Sequence, residues 1–319
     1  MLREISIALD RYDRHFPIFD GTATTERGLK YRALQVGQSL DLRDGRNRHG
    51  RMIHEREFDV AEFSMSTFIM AIDRGLPLVG IPVFPRRLFS QSSMYVLAGS
   101  QVSHPSQLEG RRIGLLSFQT SLSVIARGDL CFEYGADWES ITWVCSEEEN
   151  VAPQYKKTLR VERLTNGYDL GEALAEGLLD AIFVPNLPMS ARDGKVRLRP
   201  IFRDPKAEEE RYYQECGLWP IMHVLVTHKE TLEELPGLST QMQQLFGSAF
   251  NIATKYYNDP NWSMMPWGRS EFLRSEGIIR ESWQTGLSAN EAAISQFLKY
   301  SLSQGLLNRS WAPRELFRE

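Results

Sequence analysis

Residues 58–96 read FDVAEFSMSTFIMAIDRGLPLVGIPVFPRRLFSQSSMYV. Two apolar runs in this stretch, Val60–Met65 and Leu78–Phe84, have the β-branched and aromatic content of strands. Between them STFIMAIDRG is an apolar helix that stops at Gly75, where glycine supplies the left-handed C-terminal cap. Strand–helix–strand order predicts a mostly parallel sheet. The same stretch carries a carboxylate (Glu62), two adjacent guanidiniums (Arg86, Arg87) and serines at strand ends, which are the materials of a ligand cleft for something small and anionic.

Outward from this unit the alternation continues. Upstream, Ile5–Leu9 and Leu34–Leu40 are expected strands. Downstream, SSMYVLAG, RRIGLL, ITWVCS, DAIFVP and RLRPIF are strands. A helix is expected from Thr120 to Gly135, and another over DLGEALAEGLL with Asp169 as N-cap. Two similar strand–helix sets in tandem suggest two lobes. After the charged helix DPKAEEERYYQECG, the strand PIMHVLVTHKE leads into an all-helical tail whose apolar residues recur at i, i+3 and i+4. The expected division is lobe one at 1–88 plus 218–319, with the tail packed on it, and lobe two at 89–217. A ligand then sits between the lobes at the carboxyl ends of the strands.

A chain of 319 residues with 42% hydrophobic and 24% charged residues is long enough for a sizeable core and reads as a globular protein. The net charge of −4 gives no reason to expect nucleic acid or an anionic membrane as a partner. The three cysteines, Cys131, Cys145 and Cys216, show no CxxC spacing, which argues against a disulfide framework and a zinc site. The charged N-terminal stretch has no apolar run of signal-peptide length, so a cytoplasmic location is expected. No nucleotide-binding glycine loop, HExxH or GxSxG motif occurs.

The candidates for chemistry follow from polar residues in apolar surroundings. Glu62 interrupts an apolar strand; a buried carboxyl there serves as a proton donor or makes a structural hydrogen bond. His223, inside PIMHVLV, is either a satisfied core group or the chain's best-tuned acid–base group at neutral pH. Arg87, with Arg86 beside it, is a fork for a carboxylate or a solvated loop residue. Tyr12, Asp13 and Arg14 follow the first strand, with His15 a weaker candidate. Ser64, Ser92 and Asn186 sit at strand ends. Gln119 and Thr120 open a helix whose free N–H groups favour an anion. His49 and His54 flank an arginine-rich segment expected to be solvated, as are the glutamate triplets 147–149 and 208–210. No ligand cluster for a metal is apparent and no cofactor is expected, although a divalent ion could bind a catechol.

The combination of YDR (12–14), FDVAEFSMS (58–66), IPVFPRR (81–87), LEGRRIG (108–114), TSLSVIARGDL (120–130), DAIFVPN (180–186) and EERYYQECGLWPIMHVLV (209–226) resembles the 4,5-dihydroxyphthalate decarboxylase family. The terminal QGL…R…APRELF belongs to the same pattern, so the resemblance is scattered over nearly the whole chain. It implies an α/β, two-lobed fold of the type II periplasmic-binding-protein kind. It also implies non-oxidative loss of CO2 from a hydroxylated aromatic ortho-dicarboxylate, with a small aromatic carboxylate as the partner and a homo-oligomeric state left open. The chain departs from the pattern at Ser90 and Gln91, where an arginine and a histidine are usual, at Ile125 and at 282–286. The expected clamp is Arg87 with the Thr120 helix end, and the expected proton donor is Glu62 or His223. The alternative reading is a solute-binding or sensing protein for a small aromatic carboxylate, without catalysis.

Overall fold

Short apolar runs with polar ends in the first hundred residues form β1 (Ile5–Leu9), β2 (Tyr31–Gln35), β3 (Val60–Ser64), β4 (Leu78–Arg87) and β5 (Met94–Leu97). They are followed by β6 (Arg112–Leu115), β7 (Thr142–Cys145), β8 (Arg160–Arg163), β9 (Ala181–Phe183), β10 (Leu198–Pro200) and β11 (Ile221–His228). The helices of six residues or more are α1 (Met65–Asp73), α2 (Ser121–Phe132), α3 (Leu170–Ala175), α4 (Pro205–Cys216), α5 (Lys229–Glu234), α6 (Leu238–Tyr256), α7 (Gly268–Ser282) and α8 (Glu291–Ser303). This computed structural model describes residues 3–26, 28–37, 43–152, 154–165 and 167–317. The second expected strand begins earlier than anticipated, at Tyr31, and positions 38–40 of that expectation lie outside the described residues.

The strands form two sheets, ordered β2-β1-β3-β11-β4 and β10-β5-β9-β6-β7-β8. In the first, β1 runs parallel to β2 and β3, while β11 is antiparallel to β3. The register of that antiparallel pair sets His223 opposite Ser64 and Leu225 opposite Glu62. In the second sheet β6, β7, β8 and β9 are mutually parallel where they pair, and β5 and β10 are antiparallel additions.

The chain divides into two compact units, Met1–Arg86 with His223–Ile294 and Trp311–Glu319, and Arg87–Met222 with Ser295–Ser310. The first unit is held by a core in which α6 lays Leu238, Met242, Leu245, Phe246 and Ala249 on Ile5, Ile7, Val60, Ile81 and Leu225. The 4-3-1-3 spacing of those α6 residues is one face of a helix. The second unit has its own core of Val144, Leu170, Ala173, Leu174, Leu179, Ile182 and Val184.

The tail was expected wholly on lobe one, but Ser295–Ser310 groups with the second unit. Its polar side chains supply the reason. Tyr300 Oη donates to Asp129 at 3.2 Å, and Gln304 bridges the Val124 carbonyl and Arg127 Nε at 2.7 and 2.9 Å. Among the described residues no helix is long and apolar enough to cross a membrane.

Candidate active site

β3 is buried along its whole length, so a carboxylate in it has to be bonded. Glu62 has no exposed surface. Its Oε2 accepts the Asp10 backbone N–H at 2.9 Å, and its Oε1 accepts the Tyr12 hydroxyl at 3.1 Å. Oε1 also meets His223 Nδ1 at 2.5 Å. The fixed cation of the cluster is Arg48, 6% exposed. Its Nη2 lies 3.8 Å from Glu62 Oε2 and 3.4 Å from Asp10 Oδ2, its Nε donates to the Glu62 carbonyl at 2.8 Å, and its Nη1 donates to the Val36 carbonyl at 2.9 Å. Arg43 also pairs with Asp10. All of these residues belong to the first unit.

Electrostatics assign the protons. Burial pushes the Glu62 carboxyl up, but Arg48 and the His223 hydrogen bond outweigh it and hold the group well below the usual carboxylate range. Glu62 is therefore ionised and accepts from His223 Nδ1–H; it is not the proton donor that the sequence left open. Burial lowers the His223 pKa, opposed by Glu62 and assisted by Arg86. The unliganded imidazole is thus neutral at pH 7, with Nδ1 carrying the proton. Its Nε2 has no hydrogen-bond partner among the described residues, and the residue keeps 9% of its surface exposed. Burial, with Glu62 next, raises the Tyr12 phenol well above its ordinary value, so it remains a donor, shared between Glu62 and Asp10 Oδ2.

Tyr12 and Arg14 are brought beside this cluster. Arg14 donates from Nε to the Pro85 carbonyl at 3.0 Å, and its guanidinium lies between the rings of Tyr12 and Trp283, 4.2 and 4.3 Å from their centroids. Asp13 accepts from Tyr257 and from Arg14, which gives it a structural use. His15 is buried and donates from Nδ1 to the Asp10 carbonyl at 2.7 Å; burial, then Arg14, pushes its pKa down to about 4. Ser64 caps α1 by accepting from Thr67 N–H, and its own N–H donates to His49 Nε2 at 3.2 Å. Arg86, half-buried at the end of β4, enters the electrostatic surroundings of both Tyr12 and His223.

The remaining candidates lie in the second unit. Arg87 is 5% exposed and donates from Nη1 to the Trp219 carbonyl at 2.6 Å; burial pushes its pKa down to about 10. Ser92 donates its N–H to Glu209 at 3.2 Å, and Asn186 is exposed. Thr120 caps α2 by accepting from Ser123 N–H, with buried Gln119 just before it.

Sequence reasoning missed Asp10, Arg43 and Arg48. It read the arginine-rich segment flanked by His49 and His54 as solvated, whereas Arg51 within it and Arg48 beside it are each 6% exposed. The glutamate triplets were likewise expected to be solvated. Instead Glu149 bonds two backbone N–H groups, and Glu208 bonds Arg211 and Tyr134.

Asp10, Glu62 and His223 bring three ligand-type atoms within 4.8 Å of one another, a grouping that no spacing in the sequence revealed. Their chemistry fits a metal poorly. The Asp10 and Glu62 oxygens already serve Arg43, Arg48, Tyr12 and His223, and a divalent cation there would face Arg48.

No protein-family model matches the chain. A 4,5-dihydroxyphthalate decarboxylase from Comamonas testosteroni is 28% identical over 324 aligned positions, spanning 98% of this chain and 96% of the relative. A protein of the same name from Pseudomonas putida is 27% identical over 67% of this chain and 85% of its own length. Among solved structures, the periplasmic aliphatic sulphonate binding protein SsuA of Escherichia coli has a TM-score of 0.54 and covers 99% of this chain and 97% of its own, at 11% identity. The sulfonate-binding SsuA of Methylobacillus flagellatus KT has a TM-score of 0.56 at 14% identity, covering 99% of this chain and 92% of its own. These structures establish the periplasmic-binding-protein fold. By sequence, the chain is a divergent relative, over almost its whole length, of proteins that carry the name 4,5-dihydroxyphthalate decarboxylase.

Proposed function

We propose that the protein is a non-oxidative decarboxylase of a hydroxylated aromatic ortho-dicarboxylic acid such as 4,5-dihydroxyphthalate. The observation that carries the reaction class is the end-to-end similarity to a curated decarboxylase, 98% of this chain against 96% of the relative. The His223–Glu62 pair suits the chemistry. In 4,5-dihydroxyphthalate one ring hydroxyl is para to each carboxylate and feeds electron density to the carbon that bears it. That carbon takes a proton, the bond to the carboxylate breaks with its electron pair returning to the ring, and CO2 leaves; the product is 3,4-dihydroxybenzoate.

His223 is the proton donor in this reading. A dianionic substrate brings negative charge that reverses the effect of burial, so the imidazole binds a proton as the complex forms. Ionised Glu62 holds Nδ1–H and stabilises the imidazolium, leaving Nε2–H for the ring carbon. Arg48 keeps Glu62 ionised. Arg86 and Arg14 supply cationic surroundings on the same unit as His223, and no cofactor takes part.

The test is incubation of the purified protein with 4,5-dihydroxyphthalate, with and without chelator, following 3,4-dihydroxybenzoate by chromatography. Product at an undiminished rate in chelator is expected. Absence of product, with the substrate still raising the melting temperature, would instead favour a binding protein.

A further inference from the structure

The turn between β6 and α2 is built to hold a carboxylate and already holds one. Phe118 N–H and Gln119 N–H donate to the two oxygens of Glu149 at 2.7 and 3.3 Å, and the Ser117 hydroxyl bonds the same group. Two backbone N–H groups and a hydroxyl at the mouth of a twelve-residue helix favour an anion. Glu149 is nonetheless an awkward occupant. It arrives from the segment after β7, is only half-buried, and burial raises its pKa despite the turn's hydrogen bonds and Arg127.

Two further donors at this turn are left over. Among the described residues Gln119 Nε2, on a residue 2% exposed, has no hydrogen-bond partner. Neither has Nη1 of Arg127, a residue with no exposed surface. The Arg127 guanidinium lies against the turn: it stacks on the Phe118 ring at 3.6 Å, and its Nη2 donates to the Phe118 carbonyl at 2.6 Å. Among the described residues it has no salt bridge, and burial pushes its pKa down to about 9. A buried guanidinium without a direct ion pair costs stability, and buried donors without acceptors are rare. Together they imply an anion with more acceptor capacity than Glu149 delivers.

We propose that Glu149 is an intramolecular stand-in for a carboxylate of the ligand, and that the ligand binds the 117–120 turn by displacing it. The exchange is one carboxylate for another, so the charge beside Arg127 is conserved while Gln119 Nε2 and Arg127 Nη1 gain acceptors. The ligand class, an aromatic carboxylate, rests on the decarboxylase reading; the displaceable seat does not. A tethered competitor lowers the apparent affinity, so removing it raises affinity.

The probe is phthalate, which lacks the hydroxyls needed for turnover, titrated by calorimetry into wild type, Glu149→Ala and Glu149→Gln. Glu149→Ala is expected to bind phthalate about tenfold more tightly, equivalent to 1.4 kcal/mol, and Glu149→Gln, which keeps the shape but loses the charge, to fall between. Should the alanine variant fail to fold, the glutamine variant alone decides. Unchanged or weaker binding in the folded variants, or binding in none of the three proteins, overturns the proposal. Tighter phthalate binding without turnover of 4,5-dihydroxyphthalate keeps the seat and overturns the decarboxylase reading. Turnover with unchanged phthalate affinity in the variants does the reverse.

Discussion

His223 and Glu62 were legible as single polar residues in apolar strands, because burial of such groups demands a partner. Their meeting was not, since 161 positions separate them and only the pairing of β3 with β11 brings them face to face. Arg48 was illegible for the opposite reason. It lies in a polar stretch, DGRNRHGRM, where a charge reads as solvated until its partners at positions 10 and 62 are seen. The roles assigned to this pair make different predictions. His223→Gln removes the proton donor and should lower kcat/KM for 4,5-dihydroxyphthalate by about 10²–10⁴-fold, the usual range for a positioned acid. Glu62→Gln keeps the donor but removes the anion that raises its pKa. The His223 pKa lies below 6.5, so wild-type kcat/KM should fall as pH rises through that folded value. In Glu62→Gln the same fall should occur at lower pH. A uniform loss with an unmoved pH profile would make Glu62 structural only.

At the scale of elements, β1, β3, α2 and α4 fell where periodicity and caps placed them, because each combines a strong pattern with a capping or turn residue. The strand β8 was missed. Its residues, RVER, are mostly exposed and charged, and it forms the edge of its sheet, where the apolar alternation that marks a strand is not required. The place where α8 crosses α2 was also invisible, because it depends on a missing side chain. A Cβ on Gly128 would lie 1.9 Å from the Tyr300 ring. Gly128→Ala should therefore force the helices apart despite the higher helix propensity of alanine, costing on the order of 1–3 kcal/mol. Urea unfolding is the measurement, and a stabilised variant would contradict the packing described.

For the whole molecule, the two-unit α/β fold was readable from tandem strand–helix sets. The grouping of 295–310 was not, because amphipathic periodicity shows that a helix packs without saying on what. The tie that decides it is also a pH-dependent one. Asp129 is fully buried and accepts from Ser90 at 2.7 Å and from Tyr300 at 3.2 Å, and no cation pairs with it among the described residues. Burial raises its pKa from 3.8 to about 7, against the pull of those hydrogen bonds. The folded state thus holds this proton between pH 4 and 7 while the unfolded chain releases it. The group's contribution is fully present below 3.8 and is lost as pH rises through about 7. About three pKa units at about 1.36 kcal/mol each set a ceiling of roughly 4 kcal/mol. Asp129→Asn should gain melting temperature over wild type progressively from pH 5 to pH 8; a difference that does not change with pH would refute the shift. Because β11 lies between β3 and β4, the first sheet cannot be completed in the order in which its strands are synthesised. The strand that joins these two is made some 130 residues after the second of them. Through that interval β3 lacks one neighbour and β4 has no strand partner in its sheet, while the main segment of the second unit, Arg87–Met222, is completed first. Synthesis order therefore delays the Glu62–His223 contact, whose histidine sits on the late strand, until the main segment of the second unit has been made.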